Sequence, residues 1–498
     1  MPSEKILPND PRYTSVVNKA FNKRFRAAPD YVCQVTSAAE IVAAVNDAVQ
    51  ENRRVVVTSG GHCLEGFVSD PEVRVIIDVS AMKHIYHDVE RQAIAVEAGA
   101  TVGETFRALH ENWGTVIPLG EYPGIGMGGH VAGGAFGFLC RQLGLTADYL
   151  YGVELVTVNK DGHASITTAT REKDDPNREL WWAFTGAGGG NFGIATRYWF
   201  RSHDAVGNDP TSLLPPSPTT VATFKVEWNW SDVNRATFQR LLTNHGSWSE
   251  HNSDPDSPNT SLWTLLEIHR QQFGKIIIRG VSTASTSVEI QIDEYVLAMS
   301  EGIVAPTKPI VEHMSWLEFA LNPLPELFGM PPDGVCTKIK DAMLKARLTE
   351  KQIDVAYDYL CSTDYNVMGG GLGFATYGGR VNAVASDATA SPHRRSIFDV
   401  ACSVGWLDQH DATANLKWVR AFYRDLFADA GGAPVPGDRY DGCLINHPDV
   451  DLADATINTS GTPWHTIYFQ ENYPRLQRVK TQWDPCDIFR HALSIRAE

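Results

Sequence analysis

The sequence predicts an α+β protein of more than one domain, and three features carry that reading. Over residues 1–200, short apolar strand-like runs alternate with segments of helical periodicity. A proline-rich linker, Asn208-Asp-Pro-Thr-Ser-Leu-Leu-Pro215-Pro216-Ser-Pro218, then interrupts the pattern. Beyond it, strand-like runs mix with longer amphipathic helices. At 498 residues the length suggests about three domains, or two large ones.

Taken in order, residues 54–58 form a strand running into the Gly60-Gly61 turn, 73–79 a second, and 93–97 a third that ends before Gly99. Val102, Phe106 and Leu109 recur at helical spacing, and Gly114 stops that helix. Residues 152–159 read as a strand entering the Asp161-Gly162 turn, a hairpin signal because such turns need positive φ. After the linker, 221–227, 275–281 and 380–385 read as strands, and 288–299 and 416–428 as helices. The cluster Gly431-Gly432-Ala433-Pro434-Val435-Pro436-Gly437 marks the far edge of this part. A last helix starts at Pro474, turns Leu476, Val479 and Trp483 to one face, and ends at Asp484-Pro485.

Lys and Arg number 43 against 59 Asp and Glu, a formal net charge of −16. Binding along a phosphate backbone needs a basic stripe, and no Lys/Arg run offers one, so neither a nucleic acid nor a membrane surface is expected as partner. No stretch approaches about 18 uncharged apolar residues, and the N-terminal MPSEKILPNDPRY lacks the apolar core of a secretory signal. The eight cysteines include no CxxC, which argues against a zinc ribbon or disulfide framework and for a cytoplasmic compartment. The expectation is an acidic enzyme acting on a small molecule, monomeric or homodimeric, without a metal.

Three segments concentrate glycine: Thr58-Ser59-Gly60-Gly61-His62, 124–137 and 186–193. Such clusters usually serve positive φ or close approach of backbone to a ligand, and successive N–H groups in them can hold phosphate oxygens. Gly124, Gly126 and Gly129 match a G-x-G-x-x-G dinucleotide fingerprint, but that motif needs a strand before it and a helix after it. Pro123 interrupts the approach and His130-Val-Ala-Gly133-Gly134 is a poor helix start, so this fold is not expected. His62, on a Gly-Gly turn at a strand end, is held rigidly toward a cleft; it reads as a structural histidine or as a nucleophilic imidazole. With Cys63 it makes no zinc site, because no second ligand pair lies at metal-site spacing.

The strand–Ser-Gly-Gly-His unit, the stretch 123–137 followed by Gly144-Leu145-Thr-Ala-Asp148, the run Gly-Gly-Gly-Asn-Phe-Gly-Ile-Ala-Thr at 188–196, and Asn472-Tyr473-Pro-Arg-Leu with Trp483-Asp484-Pro485 and Phe489-Arg490 together resemble berberine bridge enzyme-like flavin oxidases, over nearly the whole chain. The resemblance implies a two-part FAD domain from residues 1–205 and 438–498, with an inserted substrate domain of antiparallel sheet backed by helices at 206–437. It implies FAD bonded through its 8α-methyl carbon to His62. Val57, Thr58, Ser59, Gly60, Gly61, Cys63, Gly129, His130, Gly133 and Gly134 would surround pyrophosphate and isoalloxazine; Asp148, Gly193 and Ile194 would lie along the adenosine and pyrophosphate. Gln470 and Asn472 would reach the flavin ring from the tail. Many relatives add a cysteine bond to flavin carbon 6, in a motif that places it at Gly126. Cys140, 14 residues on and grouped with the cofactor contacts, is not expected to replace it. A single covalent attachment follows.

The relatives' catalytic tyrosine falls at His447 in Ile445-Asn446-His447-Pro448-Asp449. An alcohol is a very weak acid, so moving hydride from its carbon to flavin N5 requires a base for the hydroxyl proton, and histidine titrates nearer neutrality than tyrosine. Tyr377 matches a second position facing the flavin. The implied activity is oxidation of a CH–OH group of a sugar or glycosylated metabolite, with O2 reduced to H2O2; the alternatives are an oxidative cyclase, a dehydrogenase, or a flavin-bearing protein without turnover.

Overall fold

β-Branched and aromatic runs are gathered into three sheets. The computed structural model describes residues 4–323, 334–363, 365 and 369–498. The first sheet joins β1 (Glu4–Ile6), β2 (Tyr31–Gln34), β3 (Val55–Thr58) and β4 (Val75–Asp78) in the order β1-β2-β4-β3. β2, β4 and β3 run parallel. Parallel pairing requires a crossover, and helix Ala38–Gln50 supplies one, capped where Ser37 accepts from the Glu40 N–H and burying Ile41, Ala44, Val45 and Ala48.

The second sheet is antiparallel: β5 (Ile85–Asp88), β6 (Ala93–Glu97), β7 (Leu150–Val158), β8 (Ala164–Thr170) and β9 (Ile194–Phe200), in the order β5-β6-β9-β7-β8. The expected hairpin is β7–β8, with Gly162 at φ 80°. The helix expected after Gly99 spans Val102–Trp113, opened by a Thr101/Glu104 capping box and closed by Gly114 at φ 64°.

The third sheet has seven antiparallel strands: β10 (Thr220–Asn229), β11 (Leu262–His269), β12 (Lys275–Ser282), β13 (Ile310–Ser315), β14 (Cys336–Leu344), β15 (Gly371–Thr376) and β16 (Phe398–Trp406). Helices Arg235–His251, Val288–Met299, Glu350–Cys361 and Ala412–Leu426 pack on and beside one face. The other face is left to a cavity, as the two-residue strand period requires: Asp399, Ala401 and Ser403 of β16 point into it while Phe398, Val400 and Cys402 are buried. The segment 380–385 is not a strand. Gly378 and Gly379, at φ 84° and 59°, turn the chain after β15 into a 3-10 turn, Gly379–Ala383.

The tail folds back onto the first part of the chain. Helix Tyr473–Trp483 buries Leu476 and Val479, and its Lys480 ammonium donates to the carbonyls of Asn191 and Phe489 and to Asp484. A second buried ionic cluster joins three distant segments. Lys338 of β14 contacts Glu65 and lies 2.6 Å from Asp449; Lys340 contacts Asp449 and lies 3.1 Å from Asp451; Arg420 completes it at 2.7 Å from Asp451. Removing one member strands buried charge, so Lys338→Met should destabilise the fold by about 3–5 kcal/mol, read as a lower denaturant midpoint.

Candidate active site

β3 ends at Thr58, and the loop after it is fixed by Ser59, whose hydroxyl donates to the Ala98 carbonyl at 2.7 Å. The loop lies backbone to backbone against the segment that begins helix Met127–Ala132. A Cβ on Gly126 would stand 2.2 Å from Ser59 Oγ and Gly60 N, and one on Gly60 2.3 Å from Gly126 N. Only glycine fits at either place, and Gly126→Ala should cost about 1–3 kcal/mol or more through overpacking, seen as a lower melting temperature. Residues 130–134 open no helix: 130–132 end the short helix Met127–Ala132 and Gly133 caps it. No strand precedes it, only an isolated bridge between Thr101 and Gly126, so the dinucleotide fingerprint is still not formed.

These loops and the open face of the seven-stranded sheet enclose a cavity of about 820 Å³. Among the described residues, the N–H groups of Gly60, Gly61, His62, Gly189 and Gly190, all lining it, donate to no protein acceptor. The His62 ring stacks on Phe21 at 5.1 Å and 11°, and burial lowers its pKa to about 4, so it is a neutral imidazole at pH 7. Tyr122 lies across from it, ring centroids 6.3 Å apart. A side chain at Gly126, expected as the vacated second-tether position, would strike the Ser59 loop, whereas Tyr122 and Gly124 lie beside the His62 ring. Cys63 also lines the cavity, its thiol pushed up to about 11 by burial.

His447 reaches the same cavity from the tail. Its Nδ1 lies 3.4 Å from Asp399 Oδ2, its side chain is 29% exposed, and its ring meets Phe136 edge-on at 6.1 Å. Asp399 itself is 4% exposed, and burial raises its carboxyl above the usual range. Behind it, Asp341 of β14 accepts the Leu444 N–H at 2.8 Å. His130 is neutral, its pKa lowered to about 3 first by burial, and its Nε2 accepts the Gly120 N–H at 2.8 Å. Glu267 and Arg279 form a 2.8 Å pair, although burial outweighs the pairing and holds Glu267 up at about 7.

Glu121 also faces the cavity, and burial, helped by Asp399 and Glu267, raises its carboxyl to about 8. A carboxyl that is neutral in the fold but ionises near 4.5 when unfolded stabilises the fold below about pH 4.5, and that contribution is lost as pH rises toward about 8. Glu121→Gln should therefore flatten the fall of the urea midpoint between pH 5 and 8.

Of the residues expected at the site, Val57, Thr58, Ser59, Gly60, Gly61, His62, Cys63, Gly126, Gly129, His130, Gly133, Gly193 and His447 line the cavity. Others do not. Tyr377 is fully buried behind Phe136, with its hydroxyl unpartnered among the described residues. Asp148 holds Arg394 at 2.6 Å and the Leu145 N–H at 2.8 Å. Gln470 donates to Asp441, and Asn472 to the carbonyls of Ser386 and Thr389. Cys140 is fully buried in a short helix, and Gly134 and Ile194 sit just behind the lining. The tail lines the cavity through residues 445–448 and 489–491 instead.

Sequence reasoning missed Glu121, Tyr122, Asp399 and Asn446. Asn446 clamps the loop, accepting from the Ala135 N–H at 3.1 Å and donating to the His130 carbonyl at 3.1 Å. Its signal was its place beside His447.

Residues 29–167 match the family model of the FAD binding domain, and 443–496 match that of berberine and berberine-like proteins. The chain is 46% identical over 495 residues to the aclacinomycin-N/aclacinomycin-A oxidase of Streptomyces galilaeus, covering 99% of this chain and 89% of that one. It is 30% identical over 533 residues to the hexose oxidase of Chondrus crispus, covering 98% and 93%. Its fold superposes on a glycopeptide hexose oxidase complexed with teicoplanin with a TM-score of 0.95, at 41% identity, covering 100% and 99% of the chains. The cavity fits FAD on its own chemistry. Free N–H groups on glycines where no Cβ intrudes suit a diphosphate, and the volume lies in the range of cofactor sites, roughly 300–1,000 Å³.

Proposed function

The chain belongs to the berberine bridge enzyme-like FAD-linked oxidoreductases, and from that premise we propose that it oxidises a CH–OH group of a sugar or glycosylated metabolite, with O2 as final acceptor. The observation that carries this reading is His447, a histidine opening into the same cavity as His62 and backed by a buried carboxylate. FAD, when bound, supplies the hydride acceptor and passes the electrons on to O2, giving H2O2.

The protein's own residues do the rest. The glycine loops at 59–62 and 188–190 would hold the pyrophosphate, and His62 would tether the ring through its 8α-methyl carbon. A fixed neutral imidazole suits that bond, since its lone pair is not occupied by a proton. The tether is single: the positions beside His62 are Phe21, Tyr122 and Gly124, and none of them carries a thiol. His447 takes the hydroxyl proton on Nε2, while the Asp399 carboxyl stands 3.4 Å from Nδ1, on the side away from that nitrogen. Glu267, Arg279 and Ser403 on the sheet, and Glu121 from the loop before Gly126, line the cavity and offer the hydrogen-bonding groups that sugar hydroxyls need.

The test is anaerobic addition of a panel of hexoses and aromatic glycosides to the yellow holoenzyme, followed by air. Bleaching by at least one donor, then recovery with one peroxide per turnover, is expected. Bleaching without peroxide would make the protein a dehydrogenase, and a flavin that no hydroxyl donor bleaches would overturn the reading.

A further inference from the structure

We propose that Asp341 and Asp399 hold one proton between them, so that the pair carries a single negative charge and serves as counter-ion to the His447 imidazole. The proposal rests on the reading of His447 as base and makes both aspartates positioning residues, Asp399 directly and Asp341 through it.

The sheet register creates the pair. Asp341 on β14 sits opposite Ala401 and Asp399 on β16 opposite Met343, so the two acids are diagonal neighbours on one face. Both are buried, 1% and 4% exposed. One ligand atom from each and one from His447 all lie within 4.8 Å of one another. Asp341 Oδ1 and Asp399 Oδ1 have no hydrogen-bond partner among the described residues; Asp341 Oδ2 accepts the Leu444 N–H, and Asp399 Oδ2 stands 3.4 Å from His447 Nδ1 without a hydrogen bond. Two ionised carboxylates this near one another and out of contact with water repel strongly, and a proton carried by one of them removes that cost.

The surroundings do not supply the missing positive charge. From the tail come His447, Asp449 and the Cys443 thiol, which donates to the Asp341 carbonyl at 3.2 Å; from the helix Ala412–Leu426 comes the Tyr423 hydroxyl, donating to the same carbonyl at 2.7 Å. Across the cavity stands Glu121, and His130 faces His447. Lys338 and Lys340, further along β14, are taken up by Glu65, Asp449 and Asp451. When the substrate O–H bond breaks and the Nε2–H bond forms, the new imidazolium finds one negative charge beside it, neither zero nor two.

The experiment compares wild-type holoenzyme with Asp341→Asn and Asp399→Asn by infrared difference spectroscopy at pH 7, by the pH profile of kcat/KM, and by metal analysis. The expected result is one protonated-carboxyl stretching band in the wild type, additional to those that Glu121 and Glu267 give, that is missing from the difference spectrum of either variant, with no bound divalent metal. An Asn amide replaces the shared O–H, so Asp341→Asn should keep kcat/KM within about threefold and leave the acidic limb in place. Asp399→Asn removes the charge nearest His447, so the limb should move down by about one pH unit or more and the plateau fall about tenfold. If one variant fails to fold, the other reads the band. A wild type with no such band, or one equivalent of divalent metal lost in Asp341→Asn, would overturn the proposal. Retained activity in His447→Gln with the band intact would sink the base reading alone.

Discussion

His447→Ala should slow substrate oxidation by about 10²–10⁴-fold at saturating substrate while the flavin stays bound. The magnitude follows from the chemistry, because hydride cannot leave an alcohol carbon easily while the oxygen keeps its proton. Three other titratable groups near the site are already engaged or sealed off. Tyr377 is sealed behind Phe136, Glu267 is engaged by Arg279, and His130 gives its free nitrogen to the Gly120 N–H. The loss should therefore fall on kcat more than on KM, and the acidic limb of the pH profile should disappear with the imidazole. His447→Gln, which keeps a hydrogen bond to substrate but accepts no proton, should behave like the alanine variant. Equal rates for glutamine and wild type would mean that the residue binds rather than abstracts.

The second large effect concerns His62. In His62→Ala all of the flavin should be released on acid precipitation, where the wild type should release none, and turnover should fall. The His62 ring is stacked on Phe21, has a pKa lowered by burial to about 4, and lies across from Tyr122. The variant should still bind FAD non-covalently, because the N–H groups at Gly61, Gly189 and Gly190 do not depend on the imidazole. An electron-poor ring attached through nitrogen holds electrons more tightly, so loss of the bond should lower the flavin potential and slow reduction by substrate. Tyr122→Phe should change none of this.

Local signals were legible where one short segment decides its own structure. β6 and the helix Val288–Met299 fall where periodicity puts them, and Gly114 and Gly162 adopt the positive φ their turns require. Residues 380–385 misled because two preceding glycines with positive φ outvote a strand-like composition. The first histidine of the site was legible because a Gly-Gly turn after an apolar run is a local pattern. Asp341 and Asp399 were not, since 58 positions separate them in sequence and only strand register brings them together. Asp148, Gln470 and Asn472 show the converse: a polar residue inside a glycine- or aromatic-rich motif can be holding an arginine or a carbonyl as readily as a ligand, and sequence does not distinguish the two.

The most direct measurement is the mass of every flavin-bearing peptide from a protease digest of the native holoenzyme. A single peptide, containing His62 and heavier by one FAD, is the predicted outcome, with the peptide around Tyr122 unmodified. Unmodified His62 in protein that keeps its yellow colour, or a second attachment elsewhere, would contradict the account.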